Sequence, residues 1–500
     1  GSDSKGKINV TYDNNFTIKG KPSISYYNLM DSKTFVKNVT EIFELEGYQL
    51  EYPWSTVTNQ TTGLSYQTYN QPVVFPHEQI LYDYTNGNIS LDERDRRLNQ
   101  LASQDGLQAY GDEFLSNAWN HSHTLSVSGG SEKFSIFGSL GYEGDKGLYH
   151  NNNDDYKINV RQDYKITPWL KWDLTLNGAI TQQKGHIMPF SGYEGMATSL
   201  MNLLPYATFR NNDGSWANFA DYYMYEPNRQ QIYDLTGISS DWYPVKDFYD
   251  SFTETKGFRL RVNTGLTINI VDGLQYEGRF QYLQSSTKSE TYIPENTWQI
   301  RSQRINALDS YGEQLLPKKG GDYTLLDYFN SDWTVRNQLA YNRGFNDNKH
   351  QVTALAGLEY RQEKINSYNS FTRGYNYQTM AKTVYDITAA RNAMYNYFGN
   401  FISLDIDGMT PRETVLRYTS YYANLAYTFN QKYSINGSVR IDQSNLFGTD
   451  VNDQYKPIGS VGLAWNIHKE KFMGNADWVN NLTLRASYGF SGNSPDPDSE

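Results

Sequence analysis

Short and long connections alternate between stretches in which every second residue is apolar, and this alternation constrains the fold most. Residues 156–166 form one such stretch, a short turn follows at 167–169, and a second stretch occupies 170–180. The same pattern surrounds three more short turns, at residues 271–273, 346–349 and 430–432. Each stretch has about ten residues, which is the length of a tilted transmembrane strand. The pattern therefore predicts strands that span a membrane.

The connections at the opposite ends of these strands are long. They are predicted at about residues 19–120, 184–256, 286–331 and 366–415. A soluble sandwich or propeller has no reason to place every long connection on one side, whereas an outer-membrane barrel has short periplasmic turns and long extracellular loops. We therefore predict an all-β fold, a transmembrane antiparallel up-and-down β-barrel with long extracellular loops, in the outer membrane of a Gram-negative cell.

The positions between the apolar residues are polar. In the stretch that begins at residue 156 they include Lys157, Asn159 and Arg161, and later ones include Arg259 and Arg261. A barrel strand with one apolar and one polar face separates lipid from an aqueous lumen. We expect the apolar face to contact outer-membrane lipid.

Composition excludes several other classes of protein. A mean hydropathy of -0.70, without a long apolar run, excludes a transmembrane helix. The chain of 500 residues has no cysteine, so disulfides and thiol catalysis are excluded. A net charge of -11 argues against a nucleic-acid partner, because binding to phosphates needs a basic surface. Aromatic residues make up 15% of the chain, which suits the aromatic girdles of a barrel.

The order of the strands also predicts how the chain is divided. Residues 1–7 precede the first strand, residues 8–490 contain the barrel strands and their loops, and residues 491–500 begin a further loop. About thirteen strands are recognisable, whereas single-chain bacterial barrels usually close with an even number. An unpaired strand edge is not viable in lipid. We expect the natural protein to continue beyond both ends, with a signal peptide at its start and more strands at its end.

Three segments carry a resemblance to a known family. They are residues 123–147, residues 417–448 and residues 456–493. Together they resemble the barrel of SusC/RagA-type TonB-dependent transporters from Bacteroidetes. The match at residues 440–448 is a divergent version of an ending that is usually Arg-Asp-Gly-Ser-Ser-Arg-Phe-Gly-like in that family.

The resemblance implies a barrel of about 22 strands, closed by an N-terminal plug and covered by a SusD-like surface lipoprotein. It also implies that the TonB complex supplies the energy, through a region before the barrel. Residues 1–7 resemble the end of the plug, so we expect the plug itself upstream. The implied function is active import of a large nutrient, which we expect to be an oligosaccharide, with an oligopeptide as the alternative. The rivals are a passive porin and an outer-membrane enzyme or adhesin.

The connection at residues 184–256 is where we expect substrate to bind. Aromatic rings can stack on the CH faces of sugars, while Asp, Asn and Arg side chains pair with hydroxyl groups. The same residue types would suit an extended peptide. The alternative is that so long a loop uses its aromatic residues to build a core of its own. The candidate residues are Trp216, Tyr222, Tyr223, Arg229, Asp241, Trp242 and Tyr243.

The sequence also carries signals for helices and for metal or catalytic sites. Asp31 and Ser32 precede an amphipathic pattern that predicts a capped helix, which either docks the lipoprotein or packs on the barrel rim. Residues 91–102 predict a charged, solvated helix. His121 and His123 are a close pair, but no third metal ligand is evident. Acidic loop residues such as Asp154 and Asp155 could hold Ca²⁺, but they lack EF-hand spacing, so we expect solvated loop charge and no cofactor. The sequence has no Gly-x-Ser-x-Gly, phosphate-loop or His-Glu-x-x-His motif, so we expect no enzymatic activity.

Overall fold

Long strands make up most of the computed structural model, which describes residues 7–24, 29–45, 54–58, 65–69, 74–189, 203–224, 226–392, 394–396, 399–447, 455–474 and 478–492. The strands are β1 (Asn9–Lys19), β2 (Trp54–Thr58), β3 (Ser65–Tyr69), β4 (Ala118–Gly130), β5 (Phe134–Lys146), β6 (Asn152–Thr167), β7 (Leu170–His186), β8 (Phe252–Val271), β9 (Leu274–Ile293), β10 (Gly321–Phe345), β11 (His350–Asn376), β12 (Ala381–Lys382), β13 (Met394–Tyr395), β14 (Phe401–Ile402), β15 (Gly408–Phe429), β16 (Tyr433–Ser444), β17 (Pro457–Asn466) and β18 (Thr483–Phe490).

Helices lie between the strands, mainly in the long connections. They are α1 (Ser32–Leu45), α2 (Pro76–Thr85), α3 (Leu91–Ala102), α4 (Gly106–Phe114), α5 (Ala220–Tyr223), α6 (Glu226–Thr236), α7 (Pro244–Asp250), α8 (Trp298–Ile305) and α9 (Ile387–Asn392). Short 3₁₀ helices occur at Asn445–Phe447, Ile467–Lys469 and Lys471–Met473. Over the described ranges, no helix combines the length and the apolar character needed to cross a membrane.

One antiparallel sheet of 14 strands contains all the long strands. Its order is β1-β4-β5-β6-β7-β8-β9-β10-β11-β15-β16-β17-β18, with β12 paired to β11. Long strands that follow one another along the chain are therefore neighbours in the sheet, and among the described residues the sheet is open, with β1 and β18 at its edges. This arrangement confirms the predicted all-β, up-and-down antiparallel fold.

Three short connections of the sheet, at residues 271–273, 346–349 and 430–432, are tight turns with left-handed residues. Asn430 and Gln431 have φ angles of 53° and 57°, and the backbone N–H of Lys432 donates to the carbonyl of Phe429 at 2.9 Å. Two consecutive left-handed residues form the turn whose twist matches that of the flanking strands. Gly273, with a φ of 84°, plays the same part between β8 and β9. These turns lie where the sequence pattern placed them.

Several strands extend further than the hydrophobic pattern indicated. The loops predicted at 286–331 and 366–415 are shorter, because β9 runs to residue 293 and β10 starts at 321, while β11 runs to 376 and β15 starts at 408. Hydroxyl side chains continue the sheet there, as the Oγ1 atoms of Thr253 and Thr291 lie 2.9 Å apart. Because such residues show no apolar alternation, the sequence pattern ended before the backbone ladder did. The loops before β4 and β8 end close to the predicted limits.

The 25 residues of β10 and the 27 residues of β11 make the longest hairpin of the sheet. At about 3.3 Å per residue such strands reach roughly 80 Å. The hydrocarbon core of a bilayer is only about 30 Å thick. Both strands are therefore much longer than the roughly ten residues with which a tilted strand spans a bilayer.

The two faces of the sheet differ in chemistry. One face, called the apolar face below, carries exposed apolar side chains in register, including Leu140, Ile158, Phe258, Leu339, Leu425, Ile435 and Leu463. The opposite, polar face carries side-chain hydrogen bonds between strands, such as Asn177 Nδ2 to Asn159 Oδ1 at 2.8 Å. On the same face Gln338 Nε2 donates to Glu277 Oε2 at 2.8 Å. These are the faces that a barrel presents to lipid and to an aqueous lumen.

Both helices that the sequence predicted in the first long connection are present. The N–H of Thr34 donates to the carboxylate of Asp31 at 2.7 Å, which caps α1. On α3, Arg96 and Arg97 each bond to the carboxylate of Glu93 at 2.7 Å, so its charges are paired on the helix surface.

Candidate functional site

The long connections fold together into a unit that we call the cap, which consists of the described residues of α1, 74–114, 203–251, 294–320 and 381–407. Its main core takes buried side chains from three connections, such as Phe114 from the first, Phe219 from the second and Ile305 from the third. A smaller core joins the third connection to the fourth through Ala307 and Met394. Loops of this length need a core of their own to stay folded. The cap is therefore a packed unit.

Aromatic rings hold the first two connections against each other. Phe114 lies edge-to-face with Phe209 at 5.0 Å and with Phe248 at 5.2 Å between ring centroids. Phe209 in turn stacks on Phe219 at 4.6 Å. Each such pair contributes roughly 0.5–1.5 kcal/mol beyond the burial of apolar area.

A buried hydrogen bond also joins the first connection to the second. His77 Nδ1 and the hydroxyl of Tyr206 lie 2.8 Å apart, and both side chains are buried. Burial lowers the pKa of His77 to about 4 and raises that of the Tyr206 hydroxyl. The imidazole is therefore neutral at neutral pH, so that the pair places no net charge in the core.

The second connection is joined to the third by a buried carboxylate. The N–H of Trp298, at the start of α8, donates to Asp247 Oδ2 on α7 at 2.8 Å. Burial raises the pKa of Asp247 to about 6. From the next turn of α8, the guanidinium of Arg301 donates to the carbonyls of Ser239 and Asp241. The start of α8 thus fixes the segment that contains three of the seven candidate site residues, Asp241, Trp242 and Tyr243.

A buried arginine connects the third connection to the fourth. Arg373 donates to Asp322 Oδ2 at 2.7 Å, to Gln303 Oε1 at 2.6 Å and to the carbonyl of Asp405. Both members of the Arg373–Asp322 pair are buried. A buried ion pair needs such additional hydrogen bonds to offset its loss of hydration. With this junction, all four long connections belong to one cap.

Two of the seven candidate site residues are core residues. Tyr223 and Trp242 are only 4% and 2% exposed, and both belong to the main core of the cap. The hydroxyl of Tyr223 accepts from the N–H of Leu204, which adds to its structural role. For these two rings the structure favours the alternative of a loop core, because a ligand does not reach them in this conformation.

Three other candidates lie together at the edge of that core. Tyr243 is half-buried, and burial raises the pKa of its hydroxyl, with a further contribution from the charges of Asp241 and Asp221. Arg229 pairs with Asp221, with 2.8 Å between Nη2 and Oδ1. Its buried Nε has no hydrogen-bond partner among the described residues. Tyr243, Arg229 and Asp241 thus place a ring, a cation and a carboxylate in one cluster, which we call the Tyr243 cluster.

Trp216 and Tyr222 belong to a different set of contacts. The guanidinium of Arg210 lies 3.9 Å from the centre of the Trp216 ring and pairs with Glu113 of the first connection. The hydroxyl of Tyr222 lies 3.3 Å from Thr208 Oγ1. Both rings are half-buried, so each offers part of a face for stacking.

Sequence reasoning missed the groups that organise these clusters. Arg210 and Arg301 were not candidates, although one covers the Trp216 ring and the other holds the backbone of Asp241. Arg301 lies in a different connection, and no local signal links it to residue 241. Asp247 lies in α7, which begins at Pro244, and nothing in the sequence around it indicates that its carboxylate is buried.

The structure also shows the surroundings of the two histidines that the sequence singled out as a possible metal site. His121 Nδ1 and His123 Nε2 lie 3.2 Å apart, and His123 also bonds to the hydroxyl of Tyr12 at 2.7 Å. Within the described parts of the chain, no group of three or more His, Cys, Asp or Glu side chains has the arrangement of a metal site.

Comparison with known proteins gives sequence relatives of one kind. No protein-family model matches the chain. TonB-dependent receptor P39 of Formosa agariphila is 23% identical over 74% of this chain, and TonB-dependent receptor SusC of Bacteroides thetaiotaomicron is 21% identical over 85%. The chain covers 30% and 39% of these two relatives, so it spans about a third of their length.

Solved structures show the same fold. The chain is similar to the RagAB peptide importer in its closed-closed state, with a TM-score of 0.65 and 20% identity over 98% of this chain and 48% of that one. Another structure of the RagAB peptide transporter gives a TM-score of 0.61 with the same identity and coverage. At this level of identity the likeness supports the architecture of the sheet and its connections.

Proposed function

The chain belongs to the SusC-like family of TonB-dependent receptors, and from this premise we propose that it forms the barrel wall and the external cap of an outer-membrane importer driven by TonB. The cargo is a large nutrient. Since the chain spans about a third of its curated relatives, the proposal concerns the whole protein to which these residues contribute. It includes no cofactor and no catalytic step.

The observation that carries the proposal is the cap at the long-connection end of a two-faced sheet. A passive porin needs an open, water-filled mouth. Here the four long connections are instead joined by two hydrophobic cores and by the hydrogen bonds of Arg373 to Gln303 and Asp405. A packed cap favours capture of a specific ligand followed by gated entry along the polar face.

We propose that a SusD-like surface lipoprotein docks on the cap. Support comes from α1, whose buried face includes Val36 and Phe43, while Ile42 and Leu45 are 48% and 85% exposed. Apolar side chains at such exposure suit a protein partner. The TonB complex would act through the plug region that the family resemblance implies.

The proposed ligand is an oligosaccharide that contacts the Tyr243 cluster and the exposed parts of Trp216 and Tyr222. A sugar ring stacks on an aromatic face, and its hydroxyls bond to carboxylates and guanidinium groups. The partly exposed guanidinium of Arg229 and the carboxylate of Asp241 supply a donor and an acceptor for such bonds.

An oligopeptide is the second candidate. The observation in its favour is the charge of the same cluster, because Arg229 suits a peptide carboxylate while Asp221 and Asp241 suit an amino terminus or a basic side chain. Both ligands would use the same rings and the same entry route.

Uptake by cells tests the proposal. Bacteria that express the full-length protein would be given labelled oligosaccharides and labelled oligopeptides, with TonB present or deleted. We expect uptake of one ligand class only when TonB is present. Equal uptake without TonB would indicate a passive porin, and release of hydrolysis products into the medium would indicate an enzyme.

A further inference from the structure

A groove runs along the apolar face of strands β15 to β18, near the short turn between β15 and β16. It has a volume of about 440 Å³, and its lining includes Tyr433, Ile435, Leu463, Trp465, Leu484 and Ala486. The register explains the groove, because the small Ala486 lies opposite the large Leu463. A second groove of about 400 Å³ continues from Ile435 past Gly437 to Val439 and Val461.

The two grooves together have the length of one lipid leaflet. From Tyr433 to Val439 the strand advances roughly 20 Å at about 3.3 Å per residue. Transmembrane strands are tilted by about 45°, so this distance corresponds to roughly 14 Å along the membrane normal. Half of a hydrocarbon core of about 30 Å is close to that value.

The turn between β17 and β18 folds onto the end of the groove. The carboxylate of Glu470 accepts from Lys432 Nζ at 2.7 Å, from the Tyr433 hydroxyl at 2.5 Å and from Trp465 Nε1 at 3.1 Å. These three donors, Lys432 first, lower the pKa of Glu470 to about 2. Because Tyr433 and Trp465 line the groove on the apolar face, Glu470 holds the turn against that face.

This turn carries one apolar ring and two exposed cations. Phe472 lies edge-to-face with Trp465, with 6.4 Å between ring centroids, and is 68% exposed. Lys471 is exposed beside it, and Lys469 is exposed with its Nζ 2.9 Å from Gln431 Oε1. Aromatic rings beside lysines are the side chains that suit the boundary between acyl chains and phosphate headgroups.

We propose that the groove and the turn form a phospholipid site, in which one acyl chain lies along the grooves and the headgroup phosphate contacts Lys469 and Lys471. Phe472 marks the boundary between the two parts of the lipid. The inference rests on the outer-membrane location proposed above, with the short turns on the periplasmic side. A phospholipid fits this surface because an apolar groove of leaflet length ends at a cationic turn.

Lipid retention by the full-length protein tests this inference. The protein would be extracted from its own outer membrane in mild detergent, and its bound phospholipid would be quantified by mass spectrometry. Ala486→Phe fills the groove, and Lys471→Glu reverses the charge at the turn. We expect each variant to retain less phospholipid, with a loss of about fivefold for the charge change.

Two control variants separate the site from general effects. Val127→Phe adds the same ring to the apolar face on β4, far from the groove in the order of the strands. Lys133→Glu reverses an exposed charge in the short turn before β5. Both controls should retain as much phospholipid as the natural protein.

Retention that is unchanged in Ala486→Phe or in Lys471→Glu would overturn the proposal. A variant that keeps its lipid but loses a dimeric mass would show that a second copy of the chain covers the groove. Lys471 is an exposed side chain, so its variant decides the matter if Ala486→Phe does not fold. Uptake of nutrient is measured separately, so a failure of the lipid site is distinguishable from a failure of the importer.

Discussion

Asp247 and Trp298 join two long connections of the cap through one hydrogen bond, in which the Trp298 N–H donates to Asp247 Oδ2 at 2.8 Å. The acceptor is a buried carboxyl whose pKa burial raises from 3.8 to about 6. His77, in the first connection, has a pKa that burial lowers from 6.5 to about 4. The two groups therefore give the cap pH dependences of opposite sign.

The substitution Asp247→Asn should stabilise the cap at neutral pH. The pKa of Asp247 is higher in the folded than in the unfolded chain, so the protonated carboxyl stabilises the folded cap. This stabilisation is fully present below about pH 3.8 and is lost as the pH rises through about 6. The asparagine side chain would stay neutral and still accept from Trp298. Above pH 6 we expect a gain of ~3 kcal/mol in the stability of the folded cap, measured as slower hydrogen exchange of α8 in the full-length protein.

The matched control is Asp250→Asn, on the same helix, where the carboxylate pairs with Lys246 and is partly exposed. It should leave the exchange of α8 unchanged. A faster exchange of α8 in Asp247→Asn at pH 7 would contradict this account of the buried carboxyl.

Acid should weaken the contact between the first two connections through His77. The pKa of His77 is lower in the folded than in the unfolded chain, so the neutral imidazole stabilises the folded cap. This stabilisation is fully present above about pH 6.5 and is lost as the pH falls through about 4. The loss amounts to ~3 kcal/mol. His77→Gln cannot be protonated, so exchange of α2 should depend less on pH in this variant. His468→Gln, in the turn before β18, should behave like the natural protein.

Truncation of Phe219 should loosen the cap without unfolding the sheet. Phe219 is 0% exposed and packs on Phe209 and Trp242. Phe219→Ala leaves a cavity and should cost about 3–5 kcal/mol, seen as faster hydrogen exchange in α5 to α7. Phe401→Ala removes a ring that is 64% exposed and should change stability by less than about 0.5 kcal/mol. Equal effects of the two changes would argue against the cap core.

Loss of the Arg229 guanidinium should weaken ligand binding about tenfold, since a charged hydrogen bond contributes roughly 1.5–3 kcal/mol. The change is Arg229→Gln, and the measurement is calorimetric titration of the full-length protein with the ligand found in uptake. Arg96→Gln, on the exposed surface of α3, is the matched control and should bind normally. Unchanged affinity in Arg229→Gln would remove the Tyr243 cluster from the proposed site.

The sheet was predictable from sequence because its signal is local. Alternate apolar residues and the turns at 271–273 and 430–432 are visible in windows of about ten residues. The ends of β9, β10, β11 and β15 were not, because residues such as Thr253 and Thr291 extend the ladder through backbone bonds and hydroxyl pairs. These residues carry no apolar alternation that a sequence pattern could detect.

The candidate site was predictable only as a region. Tyr222 and Tyr223 are adjacent tyrosines, yet the first is half-buried and the second is a core residue. Trp242 and Tyr243 differ in the same way. Which member of each pair faces outward depends on the packing of other connections around them, such as Phe114 and Trp298 in the same core. That information is distributed over residues far apart in the chain.

The central claim is that this chain is the barrel wall and cap of a lidded importer, and native mass spectrometry tests it most directly. The full-length protein would be extracted gently from its own outer membrane and weighed with whatever stays bound. The account predicts a co-purifying lipoprotein and a retained ligand series whose spacing is that of a hexose residue, or of amino-acid residues for the second candidate. A barrel with neither partner nor ligand would contradict it.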